Sequence, residues 1–185
     1  MMLAAKWLLA LRLKRSSKAK FPLINNLSEK DLTFWPSRHI IFGMIKETFS
    51  ENETFELGRT LGLSAKPGDI YCLDGDLGAG KTVFAKGFAA GLGIDEPVTS
   101  PTFTIVKEYP LGRLPLYHFD VYRIADPDEM YAIGYEDYFF GNGVCLVEWS
   151  ELIEELIPES AVHITITREL ANGTDYRKIA IETGT

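Results

Sequence analysis

Eight residues of this chain, Gly75-Asp76-Leu77-Gly78-Ala79-Gly80-Lys81-Thr82, satisfy the pattern G-x-x-x-x-G-K-[ST] at every fixed position. Each residue type has a chemical purpose. Glycines let backbone N–H groups close around a polyphosphate, the lysine ammonium reaches the β- and γ-phosphates, and the threonine hydroxyl reaches a magnesium ion. The flanks supply the context that this chemistry needs. Asp69-Ile70-Tyr71-Cys72-Leu73 reads as a short buried strand, and Val83 to Leu92 carries apolar residues at helical spacing. A strand, a glycine-rich turn and a helix start together aim N–H groups and the helix dipole at an anion. The expected ligand is a nucleoside triphosphate with magnesium.

Further polar residues stand where such a ligand would need them. Glu148 ends the apolar run Val144-Cys145-Leu146-Val147, the place from which a second acidic residue holds the magnesium shell or a water. Asp120, closing Leu116-Tyr117-His118-Phe119, is its rival. Both could face one cleft, because ligands of open α/β sheets collect at the carboxyl ends of strands. Ser100-Pro101-Thr102-Phe103 follows the loop's helix and reads either as a switch segment around the γ-phosphate or as a proline turn with a capping hydroxyl. His118 is either a proton-transfer group or a structural histidine, and Trp149 either lines the cleft or packs. No Asn-Lys-x-Asp motif is present, which disfavours a GTPase. No Ser/His/Asp nucleophile arrangement and no arginine-rich lid of the small-molecule kinase type can be found. The site looks incomplete alone, so an activating partner is expected.

The elements that must position these groups alternate. Lys46–Phe49 reads as a strand, and Ser50 with Glu53 makes a capping box for a helix to about Leu63, with Phe55, Leu57, Leu61 and Leu63 available for burial. Lys66-Pro67-Gly68-Asp69 is a turn into the loop's strand. Gly91 and Gly93 end the following helix. Phe103–Tyr109 and Leu116–Tyr122 read as strands joined at Pro110-Leu111-Gly112. Asp126 caps another helix with Pro127 at its first position. Val162–Thr167 and Arg177–Ile181 alternate in period two and should pair as a terminal hairpin. The expected fold is α/β, a three-layer P-loop NTPase type with a largely parallel sheet, antiparallel additions and a C-terminal hairpin.

Composition sets outer bounds. The 185 residues, 46% hydrophobic and 24% charged, suit a soluble globular domain and a tail. Residues 1–43 carry eight Lys/Arg against two acids, a net +6, so 44–185 carry −13 of the total −7. An acidic body does not bind nucleic acid by general electrostatics, and any tRNA would be held by a partner. The apolar patch Trp7–Leu11 is too short to span a bilayer, so no membrane association is expected. Residues 1–43 read as a basic extension, poorly ordered or produced by a start assigned too far upstream, with a transit peptide the other compositional reading. Met44 is the candidate true start of a domain covering 44–185. Cys72 and Cys145 lie in apolar runs without C-x-x-C neighbours, as buried free thiols of a reducing cytoplasm would.

Taken in order, Gly75–Thr82, Ser100-Pro101-Thr102-Phe103-Thr104, His118-Phe119-Asp120-Val121-Tyr122-Arg123 with Asp126-Pro127, and Val147-Glu148-Trp149 resemble the TsaE (YjeE) family from about Lys46 onward. These are bacterial P-loop ATPases of tRNA threonylcarbamoyladenosine biosynthesis. The resemblance implies an ATP-hydrolysing subunit that works with the TsaB–TsaD complex in the cytoplasm, with transfer itself left to TsaD. It implies that Asp76, Leu77, Gly78, Ala79, Gly80, Lys81 and Thr82 wrap the phosphates of ATP, and that Thr82 and Glu148 ligate Mg²⁺. It further implies that Asp120 serves hydrolysis and that Thr102 acts in a switch-like loop. Arg177 is the nearest candidate for the family's nucleotide-contacting arginine. The alternatives are a small-molecule or nucleoside kinase, and a module in which ATP merely orders a binding surface.

Overall fold

The structure, a computed structural model, describes residues 43–184; the expectations for residues 1–42 lie outside them. In chain order the elements are β1 (Gly43–Thr48), α1 (Glu51–Ser64), β2 (Ile70–Asp74), α2 (Lys81–Gly91), β3 (Val106–Tyr109) and β4 (Leu116–Asp120). They continue with α3 (Glu129–Ile133), α4 (Tyr135–Phe139), β5 (Val144–Glu148), a 3₁₀ segment (Ser150–Leu156), β6 (Val162–Arg168) and β7 (Arg177–Thr183). The seven strands form one sheet of order β1-β7-β6-β2-β5-β4-β3. The central four run parallel, while β3 and the β6–β7 hairpin with β1 add antiparallel edges. β2 and β5 are apolar without alternation because both their faces are covered, as central parallel strands require.

One face of the sheet packs on α1 and α2 through Tyr71, Leu73, Leu116, Leu146, Ile164 and Phe88. The other packs on α3, α4 and the 3₁₀ segment through Cys72, Phe119, Val147, Phe139 and Ile153. Both cysteines are free and buried, and burial pushes each thiol up to about 12. Among the described residues no helix is long and apolar enough to cross a membrane.

The two long helices meet on glycines rather than on large side chains. A Cβ on Gly87 would stand 2.0 Å from the Phe55 carbonyl oxygen, and one on Gly58 would stand 2.3 Å from that of Phe84. Gly62 and Gly91 repeat the arrangement one turn on. The buried stripe of α1 is therefore Thr54, Gly58, Leu61 and Gly62, and Leu63, expected to be available for burial, is exposed. Ser50 caps the helix as expected, accepting from the Glu53 N–H at 3.2 Å, while the Glu53 carboxylate accepts from Phe49 N–H at 2.9 Å instead of from Ser50's own. That bond draws Phe49 out of the expected strand, and β1 runs from Gly43 to Thr48. α3 starts at Glu129 with Asp128 as its N-cap, later than the expected start at Pro127; the Asp126 carboxylate accepts from Asp128 N–H and Glu129 reaches back to Asp126 N–H in the turn before it.

Two strands are shorter than expected, each for a local reason. Residues 101–104 turn instead of extending, with Thr104 and Ile105 N–H both bonded to the Pro101 carbonyl and Ile105 at φ 65°. β4 stops at Asp120 because its own carboxylate accepts the Tyr122 N–H at 3.2 Å, an Asx-type turn. The terminal hairpin pairs as expected, Ile164 opposite Ile181.

Candidate functional site

β2 delivers the chain into Gly75 at φ 138°, so close to β6 that a Cβ there would lie 2.3 Å from the Ile166 carbonyl oxygen. Gly80, at φ 112° in a conformation open to glycine, is the N-cap of α2, which starts at Lys81. Within the loop Ala79 N–H bonds to Asp76 O at 3.1 Å, whereas the N–H groups of Gly78, Gly80, Lys81 and Thr82 have no acceptor among the described residues. Four donors at a helix N-terminus form a cradle for an anion.

Lys81 is buried. Its ammonium donates to the carbonyl oxygens of Gly75 (2.5 Å) and Asp76 (3.2 Å) and stands 3.9 Å from the centre of the Trp149 ring. Burial holds its pKa below the usual lysine value, with Glu148 and Asp120 pulling the other way. A charge kept dry in this manner gains much from an incoming anion.

The parallel register sets Asp120 beside Glu148, and both are buried at the strand ends. Asp120 Oδ2 accepts from the hydroxyls of Ser100 and Thr102, each at 2.5 Å, and those hydroxyls are 2.8 Å apart. Glu148 Oε1 accepts from His118 Nε2 at 2.9 Å. On the opposite face of the sheet Asp74 accepts from Ser150 N–H and Oγ, both at 2.7 Å. A hydrogen bond from protonated Glu151 to Asp74, together with burial, raises the Glu151 carboxyl to about 7.

Arg177 crosses from β7 to the loop, its Nε donating to Ala79 O at 2.5 Å and its Nη1 to Thr174 O and Tyr176 O. Trp149 occupies the left-handed region at φ 64°, a strained conformation for a tryptophan, and its ring meets Tyr122 at 5.0 Å. Phe103, 85% exposed, lies under the Arg123 guanidinium at 4.6 Å.

A cleft of about 530 Å³ gathers these groups. Asp76, Leu77, Gly78, Ala79, Gly80, Lys81, Thr82, Thr102, Asp120, Glu148 and Arg177 all line it, so every residue expected from the sequence comes to one place. Ser100, Tyr122 and Trp149, which belong to segments singled out in the sequence, line it too, together with Glu51, Thr54 and Asp175, which no spacing pattern announces. Among the described residues no group of three His, Cys, Asp or Glu could hold a metal by itself. One carboxylate and one hydroxyl beside a phosphate cradle are instead the donor set that suits magnesium, which keeps several waters and borrows phosphate oxygens. The residues fit Mg²⁺ with a triphosphate.

The family model for threonylcarbamoyl adenosine biosynthesis protein TsaE matches residues 48–179. The tRNA threonylcarbamoyladenosine biosynthesis protein TsaE of Bacillus subtilis (strain 168) is 54% identical over 132 residues, 71% of this chain and 80% of its own length. Its namesake from Treponema pallidum (strain Nichols) is 45% identical over 124 residues, 67% of this chain and 90% of the other. The crystal structure of Bacillus subtilis YdiB superposes with a TM-score of 0.68 at 45% identity, covering 80% of this chain and 90% of that one.

Proposed function

The chain belongs to the TsaE family of threonylcarbamoyl adenosine biosynthesis proteins, and from that membership we propose an ATP-binding and ATP-hydrolysing subunit that supports threonylcarbamoyladenosine modification of tRNA together with a TsaB–TsaD complex in the cytoplasm. The observation that carries the reading is the convergence of Lys81, Thr82, Asp120 and Glu148 on one cleft around four free N–H donors.

Each group has a task that its position permits. The N–H groups of Gly78, Gly80, Lys81 and Thr82 bind phosphate oxygens, and Arg177 holds the loop open for them through the Ala79 carbonyl. Lys81 exchanges two carbonyl oxygens for the β- and γ-phosphates, a stronger partner for a desolvated ammonium. Thr82 and Glu148 would hold Mg²⁺, which when bound would neutralise charge on the phosphates. Asp120 orients the attacking water once the Ser100 and Thr102 hydroxyls leave its carboxylate, which couples hydrolysis to movement of the 100–104 loop. A body of net charge −13 (residues 44–185) leaves tRNA contact to the partners.

Phosphate release, measured for the chain alone and then with TsaB and TsaD, tests the reading. Slow release that the partners accelerate is expected. Rates indifferent to them, or transfer of the γ-phosphoryl to a small metabolite, would overturn it.

A further inference from the structure

We infer that His118 is a positioning residue for Glu148, aiming its free carboxylate oxygen at the metal; this rests on the reading of Glu148 as a magnesium ligand. His118 and Glu148 come from neighbouring parallel strands, β4 and β5, and are 0% and 3% exposed. The bond from His118 Nε2 takes Oε1 at 2.9 Å. Oε2 makes no hydrogen bond, yet among the described residues the one fully buried side-chain nitrogen or oxygen without a partner is His118 Nδ1. Oε2 is therefore open to the cleft that Glu148 lines.

Two physical points favour positioning over packing. A histidine kept only to fill the centre of a strand would be better replaced by an apolar residue, because its second nitrogen is buried unpaired. Magnesium demands near-ideal octahedral geometry at about 2.0–2.1 Å, so a glutamate free to rotate would be a poor ligand. A donor on the non-ligating oxygen fixes the plane of the carboxylate, and loss of such outer partners costs about 10–100-fold in metal affinity.

The test is the Mg²⁺ concentration that half-saturates nucleotide binding in the full chain, measured for His118→Gln, His118→Asn and Glu148→Gln. Nucleotide affinity in excess chelator and melting temperature are recorded alongside. Gln places an amide N–H near the position of Nε2 and should keep the wild-type magnesium requirement. Asn falls short of Glu148 and should raise the requirement about 10–100-fold, with chelator affinity unchanged. A wild-type requirement in the Asn variant while Glu148→Gln raises it would overturn this inference alone. An unchanged requirement in Glu148→Gln would overturn the assignment of Glu148 as ligand as well. Should the Asn variant fail to fold, the ring ¹⁵N resonances of His118 in the wild type decide. They should move when Mg²⁺ is added to the ADP-bound protein and stay fixed in Glu148→Gln; resonances unmoved in the wild type would refute the inference.

Discussion

The Thr102 hydroxyl donates to Asp120 Oδ2 at 2.5 Å, tying the end of β4 to a loop eighteen residues upstream. Ser100 reaches the same oxygen, so Oδ2 is fully engaged until the loop moves. Thr102→Val removes the donor at nearly constant shape. Hydrogen bonds to charged groups are worth about 1.5–3 kcal/mol, and Ser100 remains, so the loss should fall near the low end, read from the urea midpoint. Because the Thr102 hydroxyl has to leave Asp120 before the carboxylate can orient water, phosphate release by the chain alone should rise; an unchanged rate would remove Thr102 from the working site.

Lys81→Ala should abolish nucleotide binding without unfolding the chain. The lysine is desolvated and its two carbonyl partners can turn to water, so its removal relieves a buried charge. Calorimetry should register no ATP binding while the melting temperature holds or rises. Binding that survives intact would sink the phosphate-loop assignment.

Glu151 predicts a pH dependence of stability. Its carboxyl is raised from 4.5 to about 7 by the hydrogen bond to Asp74 and by burial, so the folded state favours its protonated form. That contribution is fully present below about pH 4.5 and is lost as pH rises through 7. Glu151→Gln keeps a donor to Asp74 at every pH. The variant should therefore melt higher than wild type at pH 8, with the difference shrinking towards pH 5; parallel curves would refute the coupling.

Gly87→Ala tests the helix pair. The added Cβ would lie 2.0 Å from a backbone carbonyl of α1, which no rotamer change can relieve. Overpacking costs about 1–3 kcal/mol and occasionally more, and a backbone clash belongs at the upper end. A loss below about 1 kcal/mol in denaturant unfolding would mean that α1 can move away freely.

What was legible in the chain is what depends on neighbours in sequence. The phosphate loop is one contiguous segment whose glycines, lysine and threonine act through their own backbone, so its pattern survives without tertiary knowledge. The cap at Ser50 closes within three residues and was readable. The start of β3 was not, because apolar Phe103 and Ile105 suggest a strand while Pro101 collects two N–H groups into a turn. The buried stripe of α1 takes Leu61 but not Leu63, since hydrophobicity says nothing of two helices that approach on glycine.

The sequence by itself thus determined a glycine-rich loop at a helix N-terminus, the acids Asp120 and Glu148 at strand ends, and a family. Only the tertiary structure decided that β2 lies between β5 and β6, that Ser100 and Thr102 clasp Asp120, and that His118 holds Glu148. The reason is physical. Short-range patterns follow from backbone geometry, whereas a bond between residues 30 apart exists only once strand order and register bring their side chains to the same face.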